Sequence, residues 1–318
     1  MTLLSAIPVR IVAVDPLTPG VKRFTLAHAD GKPLPHFSSG SHILLSMRID
    51  GRVVKNAYSL VGAPGERSHY QIAVRRLTES RGGSAFLHEV VEAGHEIEID
   101  PPANLFPLVA TARKHLLIAG GIGITPFLSH LVDLQQMKAR FELHYGIRSE
   151  TEGPFAGELL KRHPGHVTVY ADDLGQRIAP LVLLAQQPLG THVYVCGPPG
   201  MIAATVDAAE ALGWPARYVH VERFAAAQPG RPFTAVLARS GKTVDVPGDR
   251  SLLDTLEEAG CAPPSLCRGG ACGFCETGVI EGEVEHRDFF LSPEVKATHR
   301  KIMACVSRAR HDRLVLDL

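Results

Sequence analysis

Apolar positions in the first hundred residues recur mostly at every second place. VRIVAVDPLT, VKRFTLAHAD, HILLSMRID, NAYSLVG and YQIAVRRL are rich in β-branched and aromatic residues and are broken by Pro16, Pro19, Gly31, Gly51, Pro64 and Gly65, a pattern that predicts short strands joined by turns. GHEIEIDPP alternates apolar with acidic residues, as a strand with one wet face does. A short helix is predicted around Ser84–Val91. An antiparallel barrel or sandwich over residues 1–106 accommodates these elements. From 107 to 226 the rhythm changes. KHLLIAGG predicts a buried strand, and TPFLSHLVDLQQMK an amphipathic helix opening at Thr125 and Pro126. RFELHYGIRS, HVTVYADD and THVYVCG read as further strands, separated or followed by helices in FAGELLKR, APLVLLAQQ and MIAATVDAAEALG. That alternation predicts a mostly parallel sheet covered on both faces, with right-handed connections. AAAQPGRP at 225–232 reads as a linker. Residues 233–318 then give a hairpin in FTAVLARSGKTVDVP, a helix in SLLDTLEEAG, a Gly/Cys loop and a closing strand in LVLDL.

A chain of 318 residues suits two or three domains, each with its own core. Its 33 basic and 33 acidic side chains cancel, which argues against a general nucleic-acid or acidic-membrane binder. No apolar run approaches the length of a membrane span. MTLLSAIPVR lacks a basic start ahead of its apolar run, so the expected location is cytoplasmic. Six cysteines are too few for a disulfide scaffold, yet four fall between Cys267 and Cys305, and that clustering asks for a chemical reason.

Cys267, Cys272 and Cys275 lie in CRGGACGFC with the spacing C-x4-C-x2-C, and Cys305 follows in MACVSRAR. This is the plant-type spacing for a [2Fe–2S] cluster. Two bridged irons need four inward thiolates, and a short loop can wrap them only where its backbone stays small, as Gly269, Gly270 and Gly273 allow. Amide N–H groups of such a loop can also face the sulfurs. Structural zinc is the rival reading, although zinc sites usually pair two short knuckles and here the second is a lone Cys305; a disulfide pair is another. Cys261 reads as a small core residue. The acidic run Glu276, Glu281, Glu283, Glu285 and Asp288 is either a solvated face or a negative surface that guides a partner.

AGGIGITP at 119–126 and YVCGPPGMI at 194–202 each place glycines where a strand ends and a helix begins. Backbone amides and a helix N-terminus there can receive a pyrophosphate; a tight turn without a ligand is the alternative. Cys196 either lies near a nicotinamide ring or caps the core. In the first domain, Tyr58 and Ser59 offer an aromatic face and a hydroxyl, and Ser84 follows Arg81-Gly82-Gly83 in a turn shaped for phosphate. An iron–sulfur cluster moves one electron at a time, whereas a reduced nicotinamide gives a hydride. A flavin splits the pair, so the first domain is where one is needed.

With these residues in view, the chain resembles the phthalate dioxygenase reductase family, the reductase components of two-component Rieske oxygenases, and looks nearest to its carnitine monooxygenase reductase branch. The likeness runs over essentially the whole chain and is carried by VKRFTLAHADGKPLP, NAYSL, ARKHLLIAGGIGITPFLSH, LARSGK, EHRDFFLS and SRARHDRLVLDL. It implies an FMN-binding antiparallel β-barrel domain over 1–106, an NADH-binding α/β domain over 107–226 and a β-grasp ferredoxin domain over 233–318. The family's flavin motif R-x-Y-S falls on Asn56, Ala57, Tyr58 and Ser59. Asn56 replaces an arginine that pairs with the flavin phosphate, leaving only neutral hydrogen bonds there; Arg75 or Arg81 can compensate. The phosphate motif falls on Gly82, Gly83 and Ser84. The nicotinamide nucleotide segments fall on Gly120, Gly121 and Thr125 and on Cys196, Gly197 and Pro198. Glu222 and Phe224 in HVERF match a closing segment whose aromatic shields the flavin or shapes the nicotinamide slot. Cys267, Cys272, Cys275 and Cys305 match the cluster ligands. Arg148 and Ser149 can contact a 2′-phosphate, but Asp172 and Asp173 would repel one, so NADH is expected over NADPH. His286 and Asp288 read as loop-fixing hydrogen-bond partners rather than electron carriers. The implied partner is the Rieske centre of a separate oxygenase, and the chain is expected to be monomeric. A self-standing flavin reductase, or one serving a non-Rieske acceptor such as a cytochrome P450, is the alternative.

Overall fold

A computed structural model describes residues 6–77, 82–224 and 227–318. The chain divides into two compact units, one up to Arg223 and one from Phe224 to Leu318. The first unit holds two sheets and the second holds one main sheet.

The first sheet takes β1 (Ile7–Thr18), β2 (Val21–His28), β3 (Ser41–Ile49), β4 (Arg52–Ser59), β5 (Tyr70–Arg75), β6 (Glu96–Ile99) and the short β7 (Ala103–Asn104). Every pairing is antiparallel, in the order β4-β3-β6-β1-β2-β5, with β7 on β3. The two ends meet where Leu60 bridges Ile72 and the Val61 amide donates to the Gln71 carbonyl at 2.9 Å. Closure makes this a barrel rather than a sandwich and removes free edges. Alternation does the rest. Val9, Ile11, Phe24, Leu26, Ile43, Leu45, Ile72, Val74, Ile97 and Ile99 fill the interior. Helix α1 (Gly83–Glu89) adds Leu87 to that core.

The second sheet is wholly parallel: β8 (Lys114–Gly120), β9 (Phe141–Ile147), β10 (Val167–Ala171), β11 (Thr191–Cys196) and β12 (Val219–Glu222), in the order β10-β9-β8-β11-β12. Helices α2 (Thr125–Gln136), α3 (Ala156–Arg162), α4 (Pro180–Ala185) and α5 (Pro199–Ala211) supply the crossovers. Strands buried on both sides, such as HVYVC in β11, explain the unbroken apolar runs. The strand order reverses between β8 and β11, which marks a crevice outside their carboxyl ends. Strand β12 is absent from the sequence reading, in which VHVE is part of a closing segment.

The second unit contains β13 (Phe233–Leu237), β14 (Thr243–Val246), α6 (Leu252–Glu258), β15 (Glu276–Glu281), β16 (Val284–Glu285), α7 (Pro293–Ala297), β17 (Lys301–Met303), β18 (Arg308–Ala309) and β19 (Arg313–Leu316). Its mixed sheet runs β14-β13-β19-β15-β17, with β13 and β19 parallel, and β16 pairs β18 apart from it. This is the β-grasp arrangement. A capping box at Ser251 and Asp254 starts α6, whose Leu252, Leu253 and Leu256 enter the core. The predicted linker is only partly a tether. Arg287 donates from Nη1 to the Gln228 carbonyl at 2.8 Å, and the fully buried Arg308 donates to the carbonyls of Arg231, Pro247 and Arg250 at 2.6–3.3 Å. Residues 228–231 are thereby strapped to the second unit. Among the described residues no helix is long and apolar enough to cross a membrane.

Candidate functional site

Three sets of residues singled out by sequence can be located. On β4, Asn56 and Tyr58 share one face by the two-residue period of a strand, and Asn56 Nδ2 donates to the Tyr58 hydroxyl at 3.2 Å. The turn into α1 lies directly against them. A Cβ on Gly83 would fall 2.2 Å from Asn56 Nδ2 and 2.8 Å from Met47 Cε, so a side chain here would push both side-chain ends aside. Gly82 before it is left-handed, at φ 93°. Asn56, Tyr58, Gly82 and Gly83 are thus brought together, next to the first amides of a helix, which have no acceptor within it. That is a neutral hydrogen-bonding cradle, and it fits a flavin phosphate. Ser84 is buried, and its Oγ accepts from the Leu77 amide at 3.2 Å. Ser59 is buried one residue beyond Tyr58, in register with His42. Arg75 is exposed at the end of β5, and Arg81 lies outside the described residues.

The second set lies at the crevice of the parallel sheet. The two glycine segments interlock at backbone level. A Cβ on Gly120 would fall 2.5 Å from Pro198 Cδ, one on Gly123 2.3 Å from the Cys196 carbonyl oxygen, and one on Gly197 3.0 Å from the Gly120 amide. Close approach of β8 to β11 at their carboxyl ends therefore accounts for these glycines before any ligand is considered. Gly121 is left-handed, at φ 53°. Thr125 opens α2 with its hydroxyl donated to the Ile122 carbonyl at 3.0 Å, and it is buried. Gly123→Ala is expected to lower the stability of the first unit by about 2–3 kcal/mol, because the added methyl meets backbone that cannot turn aside; urea unfolding followed by Trp214 fluorescence measures it.

Cys196 and Glu222 end β11 and β12 in register. The thiol is wholly buried, and burial, with the Glu222 carboxyl beside it, pushes its pKa well up. Burial alone raises Glu222 to about 8. Its Oε2 is enclosed with no hydrogen-bond partner. Both groups are therefore uncharged at neutral pH, and Glu222 Oε2 is a buried polar atom at the carboxyl end of the sheet that could meet a polar ligand. Phe224, two residues past β12, is half exposed.

In the second unit the four cysteines converge. The Cys267 sulfur meets the thiols of Cys272 and Cys305, and the Cys275 sulfur that of Cys305. Donation from Cys272 and Cys305 draws the Cys267 thiol far below its ordinary value, helped by the amides of Gly269 at 3.3 Å and Ala271 at 3.5 Å. These contacts run in a chain from Cys272 through Cys267 and Cys305 to Cys275, and it is the C-x4-C-x2-C spacing with a distant fourth cysteine that separates a [2Fe–2S] cluster from zinc. Gly270 and Gly273 are left-handed, at φ 74° and 79°. Gly269 is not left-handed, and its place in the loop is that of an amide donor to sulfur. Arg268 is left-handed as well, at φ 49°. Burial would lower its pKa, but the carboxylates of Glu257 and Asp254 raise it; with Nη1 2.6 Å from Glu257, it ties the loop to α6. Asp288 is a buried hub. It accepts from the Leu291 amide at 2.9 Å, from Ser307 Oγ at 3.3 Å and from His286 Nδ1 at 3.3 Å. It thereby joins the stretch before α7 to the one after Cys305, the loop-fixing role expected of His286 and Asp288. Sequence spacing could not reveal the partners of Arg268 and Arg308, which lie up to 77 residues away.

Two family models match: a 2Fe-2S iron–sulfur cluster binding domain over residues 236–310, and the N-terminal domain of proteins like the dimethylamine monooxygenase subunit DmmA over 82–219. The carnitine monooxygenase reductase subunit of Escherichia coli K12 is 46% identical over 98% of both chains. The heme-dependent oxidative N-demethylase beta subunit of Ectopseudomonas mendocina is 45% identical, again over 98% of both. Among solved structures, that of phthalate dioxygenase reductase, described as modular for electron transfer from pyridine nucleotides to [2Fe-2S], superposes with a TM-score of 0.88 at 34% identity, covering 99% of this chain and 98% of that one. With the barrel, the parallel sheet and the four-cysteine β-grasp unit in one chain, in that order, the protein belongs to the phthalate dioxygenase reductase family of oxygenase reductase subunits.

Proposed function

We propose that the chain takes electron pairs from NADH and delivers them singly to an oxygenase component, whose Rieske centre is the first acceptor. The observation that carries this reading is the four-cysteine cluster loop on the same chain as the barrel cradle at Asn56–Gly83 and the uncharged crevice at Cys196 and Glu222. In this reading residues 1–106 hold FMN, 107–226 hold NADH and 233–318 hold the cluster. Asn56, Tyr58, Ser59, Gly82, Gly83 and Ser84 hold the flavin, with Arg75 or Arg81 supplying the charge that Asn56 lacks. Gly120, Gly121 and Thr125, with Cys196, Gly197 and Pro198, hold the nicotinamide nucleotide, and Phe224 lies near the hydride-transfer position. NADH is preferred because Asp172 and Asp173 follow β10 at the carboxyl edge of the sheet. When bound, the flavin accepts a hydride and the cluster carries single electrons onward. The protein then needs no general base: its residues align the cofactors, and the neutral Cys196–Glu222 pair keeps charge out of the crevice. The chain acts in the cytoplasm as a monomer.

The test is an anaerobic titration of the purified protein with NADH, with the released flavin identified by chromatography and the reduced chain then mixed with a purified Rieske oxygenase component. Flavin bleaching, cluster reduction, FMN release and reduction of a Rieske centre are expected. Absence of an NADH response even after FMN is added removes the reading. One observation favours a second acceptor. A relative 45% identical is a heme-dependent oxidative N-demethylase beta subunit, and reduction of a heme centre in the partner would replace the Rieske centre while leaving the electron path up to the cluster unchanged.

A further inference from the structure

The acids that follow the cluster loop do not stand unpaired. Glu276 faces Lys301 at 2.7 Å, Glu281 faces Arg313 at 3.0 Å, Glu283 faces Arg310 at 3.0 Å and Glu285 faces Arg287 at 2.8 Å. Asp288, buried, lies 3.6 Å from Lys296. Exposed pairs of this kind add little to stability. They do cancel charge at short range, so the run projects little field past a Debye length. The acidic run therefore does not supply a guiding negative surface.

What stands out beside the cluster loop is apolar. Phe274 lies within it, between Cys272 and Cys275, and is 51% exposed; Phe289 and Phe290 are 55% and 49% exposed. All three belong to one place. The Phe289 amide donates to the Gly270 carbonyl at 3.0 Å. The Phe290 ring sits 2.4 Å from where a Cβ on Gly273 would be. With each phenylalanine side chain worth on the order of 200 Å², the three expose roughly 300 Å² of ring, a size at which patches on single chains are often functional. A lasting interface needs roughly 1,000 Å² or more, whereas redox encounters sit at the low end of interface size. The area thus suits a brief contact with an electron acceptor rather than a permanent dimer.

We propose that Phe274, Phe289 and Phe290 form the face on which the oxygenase component docks to collect electrons, through an apolar, uncharged surface around its own redox centre. The proposal rests on the reading that an oxygenase is the acceptor. It is tested in the holoprotein with Phe289→Ser, the double variant Phe274→Ser/Phe289→Ser, and Phe289→Leu as the apolar control. Cluster loading is read from absorbance, and NADH-driven reduction of the cluster is followed anaerobically in the chain alone. Bimolecular transfer to the same oxygenase component is then measured in low and high salt. Loading and internal reduction should be unchanged. Transfer should fall about tenfold in the double variant, stay near the original in Phe289→Leu, and vary less than about twofold with salt in the unsubstituted chain. Undiminished transfer in the serine variants overturns the proposal, as does steep salt dependence. Slowed internal reduction also overturns it, because the face would then serve the chain's own flavin. If the double variant loses its cluster, Phe289→Ser alone decides. No transfer from the unsubstituted chain removes the oxygenase reading itself, whereas transfer retained by the variants removes only the docking face.

Discussion

Cys305→Ser is expected to leave NADH-driven reduction of a flavin-accepting dye within about twofold of the original, and to cut transfer to the oxygenase component by at least about a hundredfold. Cys305 is buried against Cys267 and Cys275, and its loss would leave one iron a thiolate short. A serine hydroxyl is a far poorer ligand than a thiolate at neutral pH, because it holds its proton. The backbone around it has independent support: Leu253 donates to the Ala304 carbonyl at 2.9 Å, and Ser307 bonds Asp288. The fold of the second unit should therefore outlast the cluster. Visible absorbance reports the cluster, and rates with the dye and with the oxygenase separate the two halves of the path. Transfer that persists after the cluster absorbance is gone would take the cluster off the path.

How far the sequence could carry the reading depends on how local each signal is. Period-two alternation in VKRFTLAHAD, and the apolar runs of KHLLIAGG and THVYVCG, are local, and β2, β8 and β11 sit where they point. The cysteine spacing is equally local, and the four sulfurs do converge. β12 escaped because four residues, VHVE, ending in an acid, look like loop until β11 pairs with them and buries Glu222. By sequence alone the glycines of AGGIGITP suit either a phosphate or a bare tight turn, but Gly120 and Gly123 are required first by contact with Pro198 and Cys196, about 75 residues on. The acidic run stays ambiguous in the sequence for the same reason: Arg313, which pairs with Glu281, is 32 residues away. Charge read along a chain is not charge on a surface.

Glu222→Gln is expected to remove a stability loss on the order of 5 kcal/mol that the original protein accumulates as pH rises. In the unfolded chain the Glu222 carboxyl ionises near its ordinary 4.5; in the fold, burial holds the proton until about pH 8. Below 4.5 both states carry the proton and the group contributes no pH dependence. Between 4.5 and about 8 the unfolded chain has released it and the folded chain has not, so folding weakens with rising pH by about 1.4 kcal/mol per unit. Above about 8 the loss is complete. Glutamine keeps the shape without the ionisation. Burial acts with the opposite sign on His130, lowered to about 3, and on His220, lowered to about 4, so their contribution is lost as pH falls through the acidic range; being common to both proteins, it cancels in the comparison. Trp214, the single tryptophan, packs against the same apolar cluster as Val219 and Val221 of β12, so its fluorescence in urea reports the core that the strand carrying Glu222 joins. The stability difference between the two proteins should widen steadily from about pH 5 to pH 8 and then level off. A difference that stays flat would mean the carboxylate is already ionised in the fold, and the crevice beside Cys196 would then carry a charge that a nicotinamide must meet.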